Sequence, residues 1–425
     1  MKQKITIPLL KDHHNHPSFY ALFNDCLNLQ EIKDKQTALQ MVQSLDRDRV
    51  SVVLGWNTGF YSFTEEELNR FPPVIIVNIS LHSFIMNAPA ETTLKVKYPD
   101  IAANYKNPSW YESHFARMMI FMADMVEPTE QKVKTLFDSL YEKGVYYAED
   151  MLLTGEKVYS IINASPYRER TAFWTDPATF KNLSPAAQKG VKGIKLFTDG
   201  ALGAGTAALA LPYNDGKKAG LLHTDDELFR QMRETALLGK AVSVHAIGDL
   251  AIFQVVRTVR RLKDEGFSFP RVRMEHCQFI DEKTAHEAKE LGIILSMQPN
   301  FSVDSTVYRD RLPVQYLEQN NPFRMLIDKA GFTPGKDLIF GSDGMPHGIT
   351  TALQTSLFPP FPGQRLTLDE FIAGYCMPDK SYGQVEIEAD ENLGVRKCIS
   401  GPDAANYFVD KIHESILSLG HENNW

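Results

Sequence analysis

The 425-residue sequence predicts a (β/α)8 barrel, the TIM-barrel architecture, on three observations. Short β-branched runs alternate with helical patterns, metal-competent polar side chains recur where those runs end, and the length suits one barrel with insertions. The clearest unit begins at Thr224, where Thr-Asp-Asp-Glu forms a capping box with Glu227 at the third helical position. Leu228, Met232 and Ala236 recur at helical spacing, and Gly239 stands where a left-handed residue ends a helix. A strand over 241–245 follows at once, then a helix over about 250–262 and a strand over 271–275 ending at His276. A helix over 281–291 leads to strands over 293–297 and 338–343.

The first half is less regular. Strands are predicted over 5–11, 50–54, 74–80, 145–148 and 193–197, with a weaker one over 171–174. The total is ten, two more than a barrel takes, so barrel order in this half stays open. Residues 83–144 read as a helical insertion covering one side of the barrel mouth. Its last helix starts at Pro128, aligns Val133, Leu136, Phe137, Leu140 and Tyr141, and stops at Gly144. The expected division is a barrel over 1–378 with that insertion, and an extension over 379–425 packing on it. The extension reads as a strand over 384–389 and a helical tail over about 402–419.

Composition narrows the function. Hydrophobic residues make up 43% and charged residues 23%, ordinary for a globular chain, and the net charge is −8. No block of lysine and arginine is long enough for a nucleic-acid interface, so nucleic acid is excluded as a partner. Cys26, Cys277, Cys376 and Cys398 are far apart and lack C-x-x-C spacing, which fits a reducing, cytoplasmic setting. No stretch is apolar for long enough to cross a membrane or serve as a signal peptide. The expected partner is a small-molecule substrate.

Six residues at five strand ends carry the chemistry: His14 and His16, Lys195, His245, His276 and Asp343. The two N-terminal histidines are two apart, which on a strand aims both rings to one side. Each residue also has a plain structural role open to it. Asp12-His-His-Asn-His16 could be a solvated turn, His245 a packed core histidine, and Asp343 a helix cap. Lys195, between Ile194 and Leu196, is costly as an ammonium unless paired or modified. Together the plain roles require coincidences at five strand ends that all open on one face.

That order of residues resembles the amidohydrolase superfamily, and within it the branch that includes N-substituted formamide deformylases. The matching segments include Asp12-x-His14-x-His16, Gly193-Ile-Lys195-Leu-Phe-Thr-Asp199-Gly200, His245-Ala-Ile-Gly248-Asp249, Arg273-Met-Glu275-His276-x-Gln278 and Gly341-Ser-Asp343. The resemblance implies one metal on His14 and His16, a second on His245 and His276, and Lys195 bridging them as an N-carboxylated side chain. Asp343 would bind the first metal and act as general base and acid. Hydroxide formed on the metal would attack the carbon of an amide, formamide-like or cyclic amide C–N bond. Zinc suits the mixed nitrogen and oxygen donors, with manganese, iron or cobalt as alternatives.

Other residues receive secondary roles. His82 could donate to substrate, and Asp199 and Gly200 would shape the mouth. Asp249 would cap a helix or orient a ligand. Glu275 is expected to point away from the metal and pair with Arg271 or Arg273. Cys277 reads as a buried small residue and His347 as a rim histidine. The sequence departs from the branch in lacking room for the usual β-sandwich, in Asn57 where the branch has Asp, and in Gly344-Met-Pro-His347. Without the sandwich, a sheet edge or barrel rim is left that a homo-oligomer would cover. Two other classes compete with the hydrolase: a mononuclear non-hydrolytic barrel such as a decarboxylase, and a degenerate barrel with a binding role.

Overall fold

The structure is a computed structural model that describes residues 3–79, 81, 83–389, 395–400 and 407–409. Its strands in chain order are β1 (Gln3–Pro8), β2 (Leu10–Asn15), β3 (Ser51–Trp56), β4 (Val74–Asn78), β5 (Phe84–Met86), β6 (Val145–Asp150), β7 (Thr171–Thr175) and β8 (Val191–Phe197). There follow β9 (Ala241–Ala246), β10 (Val272–His276), β11 (Ile294–Met297), β12 (Leu338–Phe340), β13 (Gln384–Ala389), β14 (Val395–Ser400) and β15 (Tyr407–Val409). The chain divides into two compact units, one of them built mainly from Ser18–Thr135 and Thr154–Ile161.

In the larger unit eight strands form one sheet in the order β2-β6-β7-β8-β9-β10-β11-β12, every pair parallel. The sheet curls until its edges meet: the Asp343 N–H donates to the His14 carbonyl at 2.7 Å, and the Ser342 N–H to Asp12 Oδ1 at 2.9 Å. Buried Asp12 also accepts from the His14 N–H and from the Asn15 and Ser342 side chains, so one carboxylate stitches the seam. Burial pushes that carboxyl up to about 6, against the pull of these bonds. This is the predicted (β/α)8 barrel. The capping box holds Thr224 and Glu227 at the start of Asp225–Leu237, and Gly239 takes φ +64° beyond its end. The helix Asp249–Asp264 buries Ile252, Val255, Val256, Val259 and Leu262 on one face.

The predicted strand over 5–11 divides in two. Its first part, β1, pairs antiparallel with β13, which continues through β14 to β15 in a separate four-stranded sheet. Only β2 enters the barrel; Pro8, which has no N–H to give a ladder, stands at the break. Of the helical tail expected over 402–419, residues 407–409 form β15 and the others lie outside the described residues.

The second unit accounts for the two surplus strands. β3 and β4 pair parallel with each other, and β5 joins β4 antiparallel. Trp56, Phe71, Val74, Ile76 and Val42 give this sheet a core of its own. The inserted unit therefore begins well before the 83–144 segment assigned to it from helical pattern. No helix among the described residues is long and apolar enough to cross a membrane.

Candidate metal centre

All six strand-end residues lie in the larger unit. The closest group is His14, His16 and Asp343, whose donor atoms lie within 4.8 Å of one another. His16 Nε2 is 2.9 Å and His14 Nε2 3.6 Å from Asp343 Oδ1. The other two histidines join through ring contacts, His14 to His276 at 4.7 Å and His245 to His276 at 4.5 Å between centroids. Lys195 is 1% exposed, and its Nζ lies 5.3 Å from the Phe197 ring centroid.

Backbone geometry departs from regular strand at these positions. His276, Cys277 and Asp343 have φ of +71°, +51° and +57°, a left-handed region that costs about 1–2 kcal/mol for most L residues. In an ideal strand, neighbours point to opposite faces. The turn at His276 lets both Glu275 and His276 reach the site from successive positions. The expectation that Glu275 points away from the metal site is therefore corrected. Glu275 pairs with Arg273, as foreseen, and also accepts from His14 Nδ1 at 2.7 Å.

Three of the histidines have one ring nitrogen committed to a neighbour. His14 Nδ1 donates to Glu275, His276 Nδ1 to Gln298 Oε1 at 2.7 Å, and His245 Nε2 to the Gly200 carbonyl at 3.2 Å. Such bonds fix ring orientation and tautomer, and commonly surround metal-binding histidines. The opposite nitrogen of the His14 ring, Nε2, belongs to the group of donor atoms formed with His16 and Asp343. With nitrogen and carboxylate donors grouped in this way, the chemistry of the set fits a divalent cation.

Electrostatics agree. Burial, with Lys195 second, pushes the His245 imidazole down to about 3, and burial holds His14 and His276 low as well. Burial thus favours the neutral form of these rings, the form that ligates. Burial acts to raise the Asp343 carboxyl, but His14 and His16 outweigh it and keep it ionised. Burial lowers the Lys195 ammonium to about 8, against the opposing pull of Glu275 and Asp343. A lysine so placed exposes a reactive free amine more readily than one in water.

The remaining candidates fall elsewhere. His82 lies outside the described residues. Asp199 is buried and accepts the N–H groups of Ala208, Ile247 and Gly248 at 2.8–3.0 Å, so it ties down the loops beyond β8 and β9. Asp249 is the first residue of its helix and binds the Ala210 N–H and the Tyr316 hydroxyl. His347 Nε2 donates to Asn15 Oδ1 at 3.1 Å. Asn57, in the inserted unit, accepts the Gly59 N–H in a tight turn. Burial raises the Cys277 thiol well above its ordinary value, and it donates to the Met274 carbonyl, which suits a packed residue and not a nucleophile. The polar floor of the site also contains residues that the sequence did not single out, Glu149, Ser243 and Ser296, all buried beside Arg273 and Gln298. The visible signal was charged residues set within apolar strands.

The comparisons agree with this geometry. The model of the amidohydrolase family matches residues 154–355. A curated protein of Bacillus subtilis (strain 168), named "Putative amidohydrolase YtcJ", is 25% identical over 369 residues, 77% of this chain and 68% of its own. An uncharacterized metal-dependent hydrolase from Pyrococcus furiosus superposes with a TM-score of 0.64 at 20% identity, over 87% of this chain and 80% of that one. One from Pyrococcus horikoshii OT3 gives 0.63 at 21% identity, over 83% and 74%. These two structures bear on the fold alone. Over residues 154–355 the chain is thus similar to the amidohydrolase family.

Proposed function

We propose that the protein is a metal-dependent hydrolase that cleaves the C–N bond of a small amide, formamide-like or cyclic amide substrate. The observation that carries this reading is the set of His14, His16 and Asp343 donor atoms within 4.8 Å of one another at the end of a parallel barrel. His14, His16 and Asp343 would hold one divalent ion, most suitably zinc, and His245 and His276 a second. Lys195 would join them as a carbamate, which supplies two anionic oxygens and removes the cost of a buried ammonium. When bound, a divalent ion supplies Lewis acidity that brings the pKa of water from about 16 toward 7 and polarises a carbonyl.

The chain's own residues supply the proton path and the orientation. Asp343, ionised and 2.9 Å from His16 Nε2, accepts the proton of the attacking water and returns it to the leaving nitrogen. Glu275, Gln298 and the Gly200 carbonyl hold the imidazoles in place, so little reorganisation is needed during the reaction.

Metal analysis of protein purified without chelators, alongside a panel of N-formyl, N-acyl and cyclic amides, tests the proposal. At least one equivalent of transition metal and turnover of one class are expected. Less than about half an equivalent per chain would sink it. Carboxylation of Lys195 predicts activity that rises with added bicarbonate and the mass of one carbon dioxide on the peptide carrying Lys195. An unmodified lysine with one bound metal would point instead to the mononuclear chemistry.

A further inference from the structure

The barrel interior beneath the donors is occupied by a charge cluster centred on Arg273, a fully buried guanidinium. It contacts Glu149 Oε2 at 2.7 Å and Glu275 Oε1 at 2.9 Å, and donates to the His13 carbonyl at 2.7 Å and to Ser296 Oγ at 2.9 Å. A further bond to Glu275 Oε2 spans 3.2 Å, so both oxygens of that carboxylate face the guanidinium. Ser243 Oγ donates to Glu275 Oε1 at 2.6 Å from β9. Glu149 in turn accepts from His13 Nδ1 on β2, Trp174 Nε1 on β7 and Lys192 Nζ on β8. The cluster thereby touches every barrel strand except β12.

A cluster this dense does more than fill space. Replacing buried ion pairs by apolar residues is often neutral or stabilising, so stability alone is a weak reason for one. What the geometry does determine is the plane of the Glu275 carboxylate. Arg273 and Ser243 grip it so that Oε2 meets His14 Nδ1 at 2.7 Å. That bond turns the opposite nitrogen, Nε2, toward Asp343. Arg273 reaches the donors only through Glu275.

We propose that Arg273 is a positioning residue that, through Glu275 and His14, sets the affinity of the His14–His16–Asp343 group for a divalent ion. This rests on the metal-dependent reading above. A planar fork bridging two carboxylates is required; a lysine ammonium supplies charge but cannot address both partners in the same way.

The test measures Zn²⁺ dissociation constants of the full chain by competition with a chromophoric chelator, together with thermal unfolding of the metal-free protein. Glu275→Gln, Ser243→Ala and Arg273→Lys are compared with wild type. Weakening of Zn²⁺ binding by about 10–100-fold is expected in Glu275→Gln and Arg273→Lys, with a smaller loss in Ser243→Ala, confined to one class of site. The same variants substituted with Co²⁺ should show an altered visible spectrum, which a merely structural role would not produce. Lowered thermal stability with wild-type Zn²⁺ affinity would overturn the inference and leave the metal reading intact. Wild-type protein that binds no divalent ion would overturn both. Should Arg273→Lys fail to fold, Glu275→Gln and Ser243→Ala decide the matter.

Discussion

Gly341→Ala should loosen the barrel at its seam. A Cβ built on Gly341 would lie 2.3 Å from the His14 backbone nitrogen, and 2.8 Å from both Asp12 Oδ1 and His14 Cβ. Two of those atoms belong to the backbone or to the root of a side chain, so no rotamer change relieves the contact. β2 and β12 must separate by roughly 1 Å to restore ordinary packing distance. Overpacking of this kind costs about 1–3 kcal/mol. The same separation lengthens the bonds from the Asp343 N–H to the His14 carbonyl and from the Ser342 N–H to Asp12, each worth about 1 kcal/mol. The expected loss is about 3–5 kcal/mol, or a Tm lower by roughly 6–10 °C for a unit of this size. Divalent-ion affinity should fall with it, because His14 and Asp343 stand on opposite sides of the seam. The control is Gly363→Ala, where nothing lies within 4 Å of the added carbon. Differential scanning fluorimetry and a Zn²⁺ titration read both effects. A Gly341→Ala protein that unfolds within about 2 °C of the control, with wild-type Zn²⁺ affinity, would refute the seam as described.

Three further outcomes follow from the same geometry. Asp199→Ala leaves the buried N–H groups of Ala208, Ile247 and Gly248 without their acceptor; after the relief of removing a buried carboxylate it should cost about 3 kcal/mol, and an unchanged denaturant midpoint would count against it. Burial raises the Asp304 carboxyl to about 7, opposed by its bond from Gln278. The native state therefore holds more protons than the unfolded one between about pH 4 and 7, and Asp304 makes stability fall as pH rises through that window. Asp304→Asn should flatten this part of the Tm–pH profile, and parallel profiles for the two proteins would contradict the assignment. Asp343→Asn should lower kcat by about 10²–10⁴-fold while keeping the fold, whereas Asp343→Ala, lacking the tolerance of Asn for φ +57°, should also unfold about 1–2 kcal/mol sooner. Equal stability of those two variants would dispose of the strain at this position.

The second half of the barrel was readable because its signals are local. The Thr224–Glu227 box, the glycine at 239 and alternate β-branched runs each sit within a few residues of what they control. The six polar strand ends were readable for a related reason: parallel strands separated by helices bring every C-terminal end to one face, so order along the chain maps to position around a ring. Long-range pairing was not visible. β3 and β4 are parallel, β-branched strands like those of the barrel, and only tertiary pairing shows that they belong to a sheet of their own. The partnership of β1 with β13 joins residues near opposite ends of the described chain. Strand alternation alone places Glu275 away from the site, whereas His276 adopts φ +71° and breaks that alternation.

That departure explains how one barrel end can be both a packed core and a reactive mouth. Regular strands send alternate side chains inward, which would allow β10 only Arg273 and Glu275 inside and leave His276 facing out. Positive φ at His276 adds a third inward residue directly after Glu275, and Asp343, just beyond β12, also has positive φ. Each departure costs about 1–2 kcal/mol locally and persists only if the surroundings over-determine it. They do so with specific bonds. The Cys277 N–H donates to the Ala246 carbonyl at 3.0 Å, the Asp343 N–H to the His14 carbonyl at 2.7 Å, and His276 Nδ1 to Gln298. The polar floor below and the Asp12 seam beside them are thus the conditions under which the donors can leave strand geometry and face one another.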